Sequence, residues 1–323
     1  MKLSRRRFLH LASGAAALPA MPRIASAQAY PSRPVRIIGG FPAGSASDII
    51  ARLAGQRLSE RLGQQFVIDN RPGAGSNIGA ELVVRAPPDG YTLLLITAAN
   101  AINASLYENL NFNFIRDIAP IASIGGNPFV MVVNPSVPAK TVPEFIAYAK
   151  ANPGKIDMAS FGNGSALHVF GELFKMMTGV DLVHVPYRSS FMPDLLGGQV
   201  QVAFTPIPLS IAYIRDGKLR ALAVTTARRL EVLPDIPALG EFVPGYEASG
   251  WYGVGAPKST STEIIEKLNK EINAVVADPD MKARLIGLGV PPMSMAPAEF
   301  GKLIADETEK WAKVIKFAGI KPE

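Results

Sequence analysis

The chain of 323 residues contains no cysteine. Disulfides, thiolate zinc sites, iron–sulfur ligation and cysteine nucleophiles are thereby excluded together. Histidine is scarce, with three in all, and neither His168 nor His184 has a neighbour at metal-ligand spacing such as H-E-x-x-H. A zinc hydrolase is disfavoured and no metal is expected. Long apolar runs are missing too: the stretch Phe8 to Leu18 is shorter than the ~20 residues a membrane helix needs, and Pro19 and Pro22 keep it from extending. There is no internal repeat of 20 to 50 residues, and no low-complexity segment beyond an Ala-rich stretch near the N-terminus.

What is present is enough apolar chain, 48% of residues against 19% charged, to bury a sizeable core. The length suits about two domains. The net charge of +6 suggests a polyanionic partner until its position is considered: Lys2, Arg5, Arg6, Arg7 and Arg23 precede residue 28 without an acid, and subtracting these five from 33 bases leaves 28 against 27 acids, a net of +1. No nucleic-acid partner is expected of so neutral a remainder. The first residues read as an export signal over 1–27, with a basic cluster, an apolar run and Ala25-Ser26-Ala27 as the cleavage site, Ala29 being the fallback. Ser4-Arg5-Arg6-Arg7-Phe8-Leu9 is similar to the twin-arginine signal, which places the mature protein in the periplasm.

Beyond Tyr30 short β-rich runs alternate with helical patterns, which predicts an α/β fold with mostly parallel sheets. Strands are expected at Val35 to Gly40, Phe66 to Asp69, Thr92 to Thr97, Phe129 to Asn134, Ile156 to Ala159, Leu182 to Pro186, Val200 to Thr205 and Leu219 to Thr225. Strand texture is lost after Val254, and the tail reads as amphipathic helices, with Ile264, Ile265, Leu268, Ile272, Val275 and Val276 on one face. The pattern predicts two lobes, 30–125 with 250–323 and 126–249, hinged near 125–128 and 247–252, with the tail returning to the first lobe and the ligand site in the cleft.

Three loops could carry chemistry. Gly39-Gly40-Phe41-Pro42-Ala43-Gly44-Ser45 joins a strand to a helix N-terminus, where free amides favour an anion. It lacks the lysine and the following hydroxyl of a P-loop, and a tight turn needing glycine is the alternative. Gly73-Ala74-Gly75-Ser76-Asn77-Ile78 fails the dinucleotide pattern because Ile78 stands where the third glycine belongs, so no nucleotide cofactor is expected; Gly75 and Ser76 form either a second polar loop of the cleft or a plain turn. Phe161-Gly162-Asn163-Gly164-Ser165 opens another helix, and two anion sites facing each other would suit two carboxylates; Ser165 as an N-cap alone is the alternative. Pro186-Tyr187-Arg188-Ser189-Ser190 adds a phenol and a guanidinium, although Arg188 could equally be a solvated charge. A Ser165/His168 dyad is conceivable, but there is no G-x-S-x-G elbow, and His168 reads as structural. The Trp251-Tyr252 pair reads as core or hinge packing.

Taken together, these segments resemble the Bug family, the periplasmic substrate-binding proteins of tripartite tricarboxylate transporters. The resemblance rests on Tyr30-Pro31-Ser32-Arg33-Pro34, Phe41-Pro42-Ala43-Gly44 with Asp48, Asn70 to Gly75, Pro88 to Thr92, Gly162 to Ser165 with His168, Gly171-Glu172-Leu173, Val185 to Arg188 and Leu195 to Gln199. Leu222 to Thr225, Leu233 to Pro237 and Trp251 extend it, covering essentially the whole chain after the export signal. It implies a two-lobed periplasmic binding protein of type II, a Venus flytrap. Such a protein captures a small organic carboxylate without chemical change, as a monomer without cofactor, and delivers it to a membrane permease. By resemblance one carboxylate meets the first loop at Phe41, Ala43, Gly44 and Ser45, with Asp48 just behind it. Asn163, Gly164, Ser165, Tyr187 and Arg188 hold the other end. Two departures fall at the site: Gly44-Ser45 stands where relatives commonly have Gly-Gly, and Ser189 replaces the usual glycine in a stretch to Asp194 that is about two residues short. The rival readings are a periplasmic sensor module facing a receptor kinase and a secreted serine hydrolase.

Overall fold

In the computed structural model the described residues are 30–107 and 109–322. The expected export signal lies outside them. β1 (Val35–Gly39) alternates buried Val35 and Ile37 with exposed Arg36 before Ile38 turns the strand wholly inward. Ser45 caps α1 (Ala46–Leu62) by accepting the Asp48 amide, and Gly63, at φ 69°, ends it in the left-handed conformation expected of a glycine stop. The chain continues through β2 (Phe66–Asn70), a 3₁₀ turn at Ala74–Ser76, α2 (Asn77–Val84), β3 (Thr92–Thr97), α3 (Ala98–Leu106), the short α4 (Phe114–Asp117) and β4 (Ile118–Asn127).

Pro128 alone separates β4 from β5 (Phe129–Val133). The second half then runs α5 (Val142–Ala151), β6 (Asp157–Ser160), α6 (Ala166–Thr178), β7 (Val183–Pro186), α7 (Met192–Gly197), β8 (Val202–Pro206), α8 (Ile207–Arg215) and β9 (Arg220–Val224). Residues 225–249 lead back to β10 (Gly250–Pro257), followed by α9 (Thr262–Ala277), α10 (Pro279–Gly287) and α11 (Pro297–Ala318). From Arg33 onward the chain forms one compact unit.

There are two five-stranded sheets, in the orders β2-β1-β3-β10-β4 and β7-β6-β8-β5-β9. Each has a parallel trio, β2-β1-β3 or β7-β6-β8. Each is completed by two further strands joined through antiparallel pairing, β10 and β4 or β5 and β9, next to the crossings between sheets. The sheets are therefore mixed: β10 and β5, on which the chain enters one sheet from the other, run against the trio, whereas β4 and β9, on which it leaves, run with it. In both sheets the middle strand of the trio has its sequential successors on opposite sides. The crevice at its carboxyl end is the place where open α/β sheets bind ligands.

The C-terminal helix α11 packs against both halves, where the sequence pattern predicts a return to the first lobe alone. Its Phe300 meets the edge of Trp251 on β10 with ring centroids 5.4 Å apart, and its Trp311 stacks on Phe170 of α6 at 5.0 Å. Gly253 makes room for this, since a Cβ there would overlap the Phe300 ring, while one at Gly255 would crowd Ile96 and Ile118 of the neighbouring strands.

Candidate functional site

Three loops leave the carboxyl ends of β1, β2 and β3. In the first, Asp48 is 3% exposed and works beneath the surface. Its Oδ2 accepts from the Gly44 amide at 2.8 Å and from Arg52 Nε at 2.9 Å, while Oδ1 accepts from Asn70 Nδ2 at 3.0 Å. Burial alone would raise its carboxyl, but the bonds from Arg52, Gly44 and Asn70 outweigh it and hold the group below the ordinary carboxylate value. Asn70 also donates to the Phe41 carbonyl at 3.0 Å, so β2 braces the loop after β1.

The sequence expectation needs one correction here. The Gly44 N–H belongs to Asp48 and the Ser45 N–H to the Pro42 carbonyl, so neither is a free donor. The amides that the helix leaves unpaired are those of Ala46 and Ser47, at the start of α1, where no carbonyl lies four residues back within the helix. Ala43 and Gly44 are exposed and Phe41 and Ser45 half-buried, so the backbone of this loop faces solvent while its acid does not.

The second loop presses directly on the first. A Cβ at Gly40 would overlap the Ser76 side chain and come within 2.8 Å of its Cα. Ser76 is 1% exposed, its amide donates to the Gly73 carbonyl, and its Oγ accepts from Asn100 Nδ2 at 3.4 Å. It is thus a buried spacer between loops, unlike Gly75, which is exposed and whose carbonyl accepts from Asn103 Nδ2 at 2.6 Å. The unusual φ values of Ala74, 46°, and Ser76, 85°, belong to this tight packing.

Sequence reading missed the polar residues after β3. Thr97, Asn100 and Asn103 are buried with Asn77 behind the second loop. Asn100 Oδ1 accepts the Thr97 amide at 2.9 Å, whereas Thr97 Oγ1 and Asn77 Nδ2 are buried without a partner among the described residues. The available signal was three polar side chains spaced by three at the start of a helix that opens at a strand's carboxyl end.

In the second half, the loop between β6 and α6 holds two glycines in left-handed conformation, Gly162 at φ 102° and Gly164 at φ 72°. Asn163 is exposed, and a Cβ at Gly164 would overlap Leu106 of α3, so the two halves already touch at this point. Ser165 caps α6, accepting the His168 amide and donating Oγ–H to the Gly162 carbonyl at 2.8 Å. His168 directs Nδ1 at the Gly164 amide, 3.2 Å, so the hydrogen bond a Ser165/His168 nucleophile–base pair needs is not formed.

After β7 the Tyr187 hydroxyl donates to Asp194 Oδ2 at 2.7 Å. Burial and that carboxylate push the phenol up to about 12. Its ring also meets the edge of Phe191. Arg188 is exposed and has no hydrogen-bond or ion-pair partner among the described residues. Among the described residues no group of three or more histidine and acidic side chains is placed to hold a metal, and no helix is long and apolar enough to cross a membrane.

His184 is pushed down to about 4 from 6.5, first by burial and then by the neighbouring His168, against a smaller opposing pull from Glu172. Because the folded value lies below the unfolded one, the unfolded chain binds more protons between these limits. The stability is complete above pH 6.5 and is lost as the pH falls to about 4. The loss should be on the order of 3 kcal/mol. Denaturant midpoints measured across this range should fall with acid, and the fall should flatten in His184→Gln, which cannot titrate; an equally steep fall in that variant contradicts the assignment.

Comparison with known proteins decides the family. The model of the tripartite tricarboxylate transporter family receptor matches residues 50–320. The chain belongs to that family. Among solved structures the receptor is similar to the R. palustris protein Rpa4515 with adipate, at 36% identity and a TM-score of 0.79 over 91% of this chain and 100% of the other. It is similar also to the periplasmic binding protein BugD, at 33% identity and TM-score 0.76 over 91% and 100%. A third is MatC from Rhodopseudomonas palustris with bound malate, at 28% identity and TM-score 0.75 over 88% and 100%. The receptor is a solute-binding protein with the two-lobed fold of these relatives.

Proposed function

We propose that the receptor is exported to the periplasm, binds a dicarboxylate of about four to six carbons without transforming it, and hands it to the membrane permease of a tripartite tricarboxylate-type transporter. What supports the ligand class is an exposed backbone loop at a helix N-terminus after β1 and an exposed, unpartnered Arg188 after β7, each at the carboxyl end of a parallel trio. The relatives solved with adipate and malate support it. The proximal carboxylate meets the Ala46 and Ser47 amides at the start of α1, with the Phe41 to Ser45 loop shaping the approach and Asp48 acting only through Gly44, Arg52 and Asn70. The distal one meets Asn163, Gly164 and Ser165 at the start of α6 and the guanidinium of Arg188.

The strand membership of the two sheets supports lobes of 30–125 with 250–323 and of 126–249, closing about the crossings near 125–128 and 247–252. Scattering with and without saturating ligand should show a smaller radius when bound; identical curves contradict closure. A thermal-shift screen of mono-, di- and tricarboxylates, amino acids and aromatic acids tests the ligand class. At a hundred times Kd a true ligand adds ~2.7 kcal/mol, raising the midpoint by ~5 °C. A rise with amino acids and none with dicarboxylates overturns the proposal.

A further inference from the structure

The loop 162–165 has neither helix nor sheet to fix it, yet its backbone must hold a defined shape if it is to receive a ligand. Ser165 closes it on the Gly162 carbonyl through its amide and hydroxyl, and two imidazoles from different elements brace it from behind. His184, on β7, places Nε2 2.6 Å from Ser160 Oγ, and that hydroxyl lies 3.1 Å from both the amide and the carbonyl of Gly162. His168, on α6, accepts the Gly164 amide at Nδ1. The two rings are stacked with centroids 3.5 Å apart and planes 4° from parallel, so neither can turn without displacing the other. An Nδ1 that accepts leaves the proton on Nε2, which faces Glu172 Oε1 at 3.6 Å; Glu172 is anchored in turn by Lys175 at 2.8 Å. Burial would raise the Glu172 carboxyl, but His168 and Lys175 hold it below its ordinary value, which keeps an anion at the Nε2–H side of the ring.

Outside this anchor His168 bonds the loop directly at Gly164, and His184 reaches it through the Ser160 hydroxyl. We propose that His168 and His184 are positioning residues, a stacked imidazole support that sets the backbone of Gly162 to Ser165 for the ligand's distal end. This rests on the reading of that loop as part of the carboxylate site. The support requires neutral rings, since a proton on His168 Nδ1 would oppose the Gly164 N–H. The other titratable groups around it are Glu172 and Lys175 of α6, with Asp181 and Lys321, which line the same cavity of about 700 Å³.

The test exploits side-chain geometry. His168→Asn keeps an acceptor where Nδ1 stands, whereas His168→Gln carries its amide out to the Nε2 position and His168→Leu has none. Amide hydrogen exchange at Gly164, followed by NMR in the ligand-free protein, should be nearly unchanged in the asparagine variant and about tenfold faster in the glutamine and leucine variants. Adipate affinity should follow the same order, rescued by asparagine and lowered about tenfold in glutamine, which remains measurable should leucine not fold. Equal Gly164 exchange in wild type and the glutamine variant overturns the proposal, as does adipate affinity unaltered by that substitution. If adipate and malate bind none of the proteins while the exchange order holds, the support stands and the carboxylate reading fails.

Discussion

Gly44→Pro should lower ligand affinity at least about a hundredfold, because it strikes two features at once. Gly44 sits at φ 80°, which proline cannot adopt, and its N–H is the donor that ties the loop to Asp48. Space is not the issue, since nothing lies within 4 Å of a Cβ built there. Gly44→Ala therefore serves as the control: it keeps the amide and costs only the ~1–2 kcal/mol of a left-handed L-residue. Ser45→Ala removes a cap worth ~1 kcal/mol of stability and should leave most affinity. Calorimetric titration of the three variants, each first shown to be folded by circular dichroism, should rank proline far below the other two. Wild-type affinity in Gly44→Pro would move the site away from this loop.

Gly40→Ala should be almost as damaging through sterics alone. A single methyl there overlaps the side chain of buried Ser76, and the Ser76 backbone at 2.8 Å leaves no room for retreat. Overpacking of this kind costs ~1–3 kcal/mol, and whatever relieves it must separate the first and second loops, so binding should fall even where the protein folds. The double variant Gly40→Ala/Ser76→Gly removes the overlapping hydroxymethyl and relaxes the positive φ at residue 76. It should recover much of both stability and affinity, a coupling that two independent sites would not show. If the double variant is no better than the single one, the loops do not share this contact.

The ease of reading the sequence differed between elements for physical reasons. β1 and the start of α1 were legible because each carries local chemistry: a short β-rich apolar run and a glycine-containing loop that leads into a helix. β4 and β10 were not, since Pro120, Gly125 and Gly126 in one and three glycines in the other look like breakers. Their glycines answer to tertiary neighbours, Gly253 to Phe300 and Gly125 to Val290 and Pro291, and two register shifts absorb the irregularity of the pair. At the site, the helix starts at Ser45 and Ser165 were visible as caps. That Ser76 would be buried and that His168 would lie flat on His184 are long-range facts with no local pattern to reveal them, whereas the Asp48 bond to the Gly44 amide spans only four residues and depends on the left-handed turn at Gly44.

The central claim is capture of a dicarboxylate between an amide loop and Arg188, and calorimetric titration of adipate and malate into wild type and Arg188→Gln tests it most directly. The account predicts that at least one of the two acids binds wild type with one-to-one stoichiometry. It also predicts that Arg188→Gln, at an exposed position where folding should be untouched, weakens that binding by about ten- to a hundredfold, the loss of a charge-assisted pair. A folded wild type that binds neither acid, or an Arg188→Gln variant that binds as tightly as wild type, would contradict it.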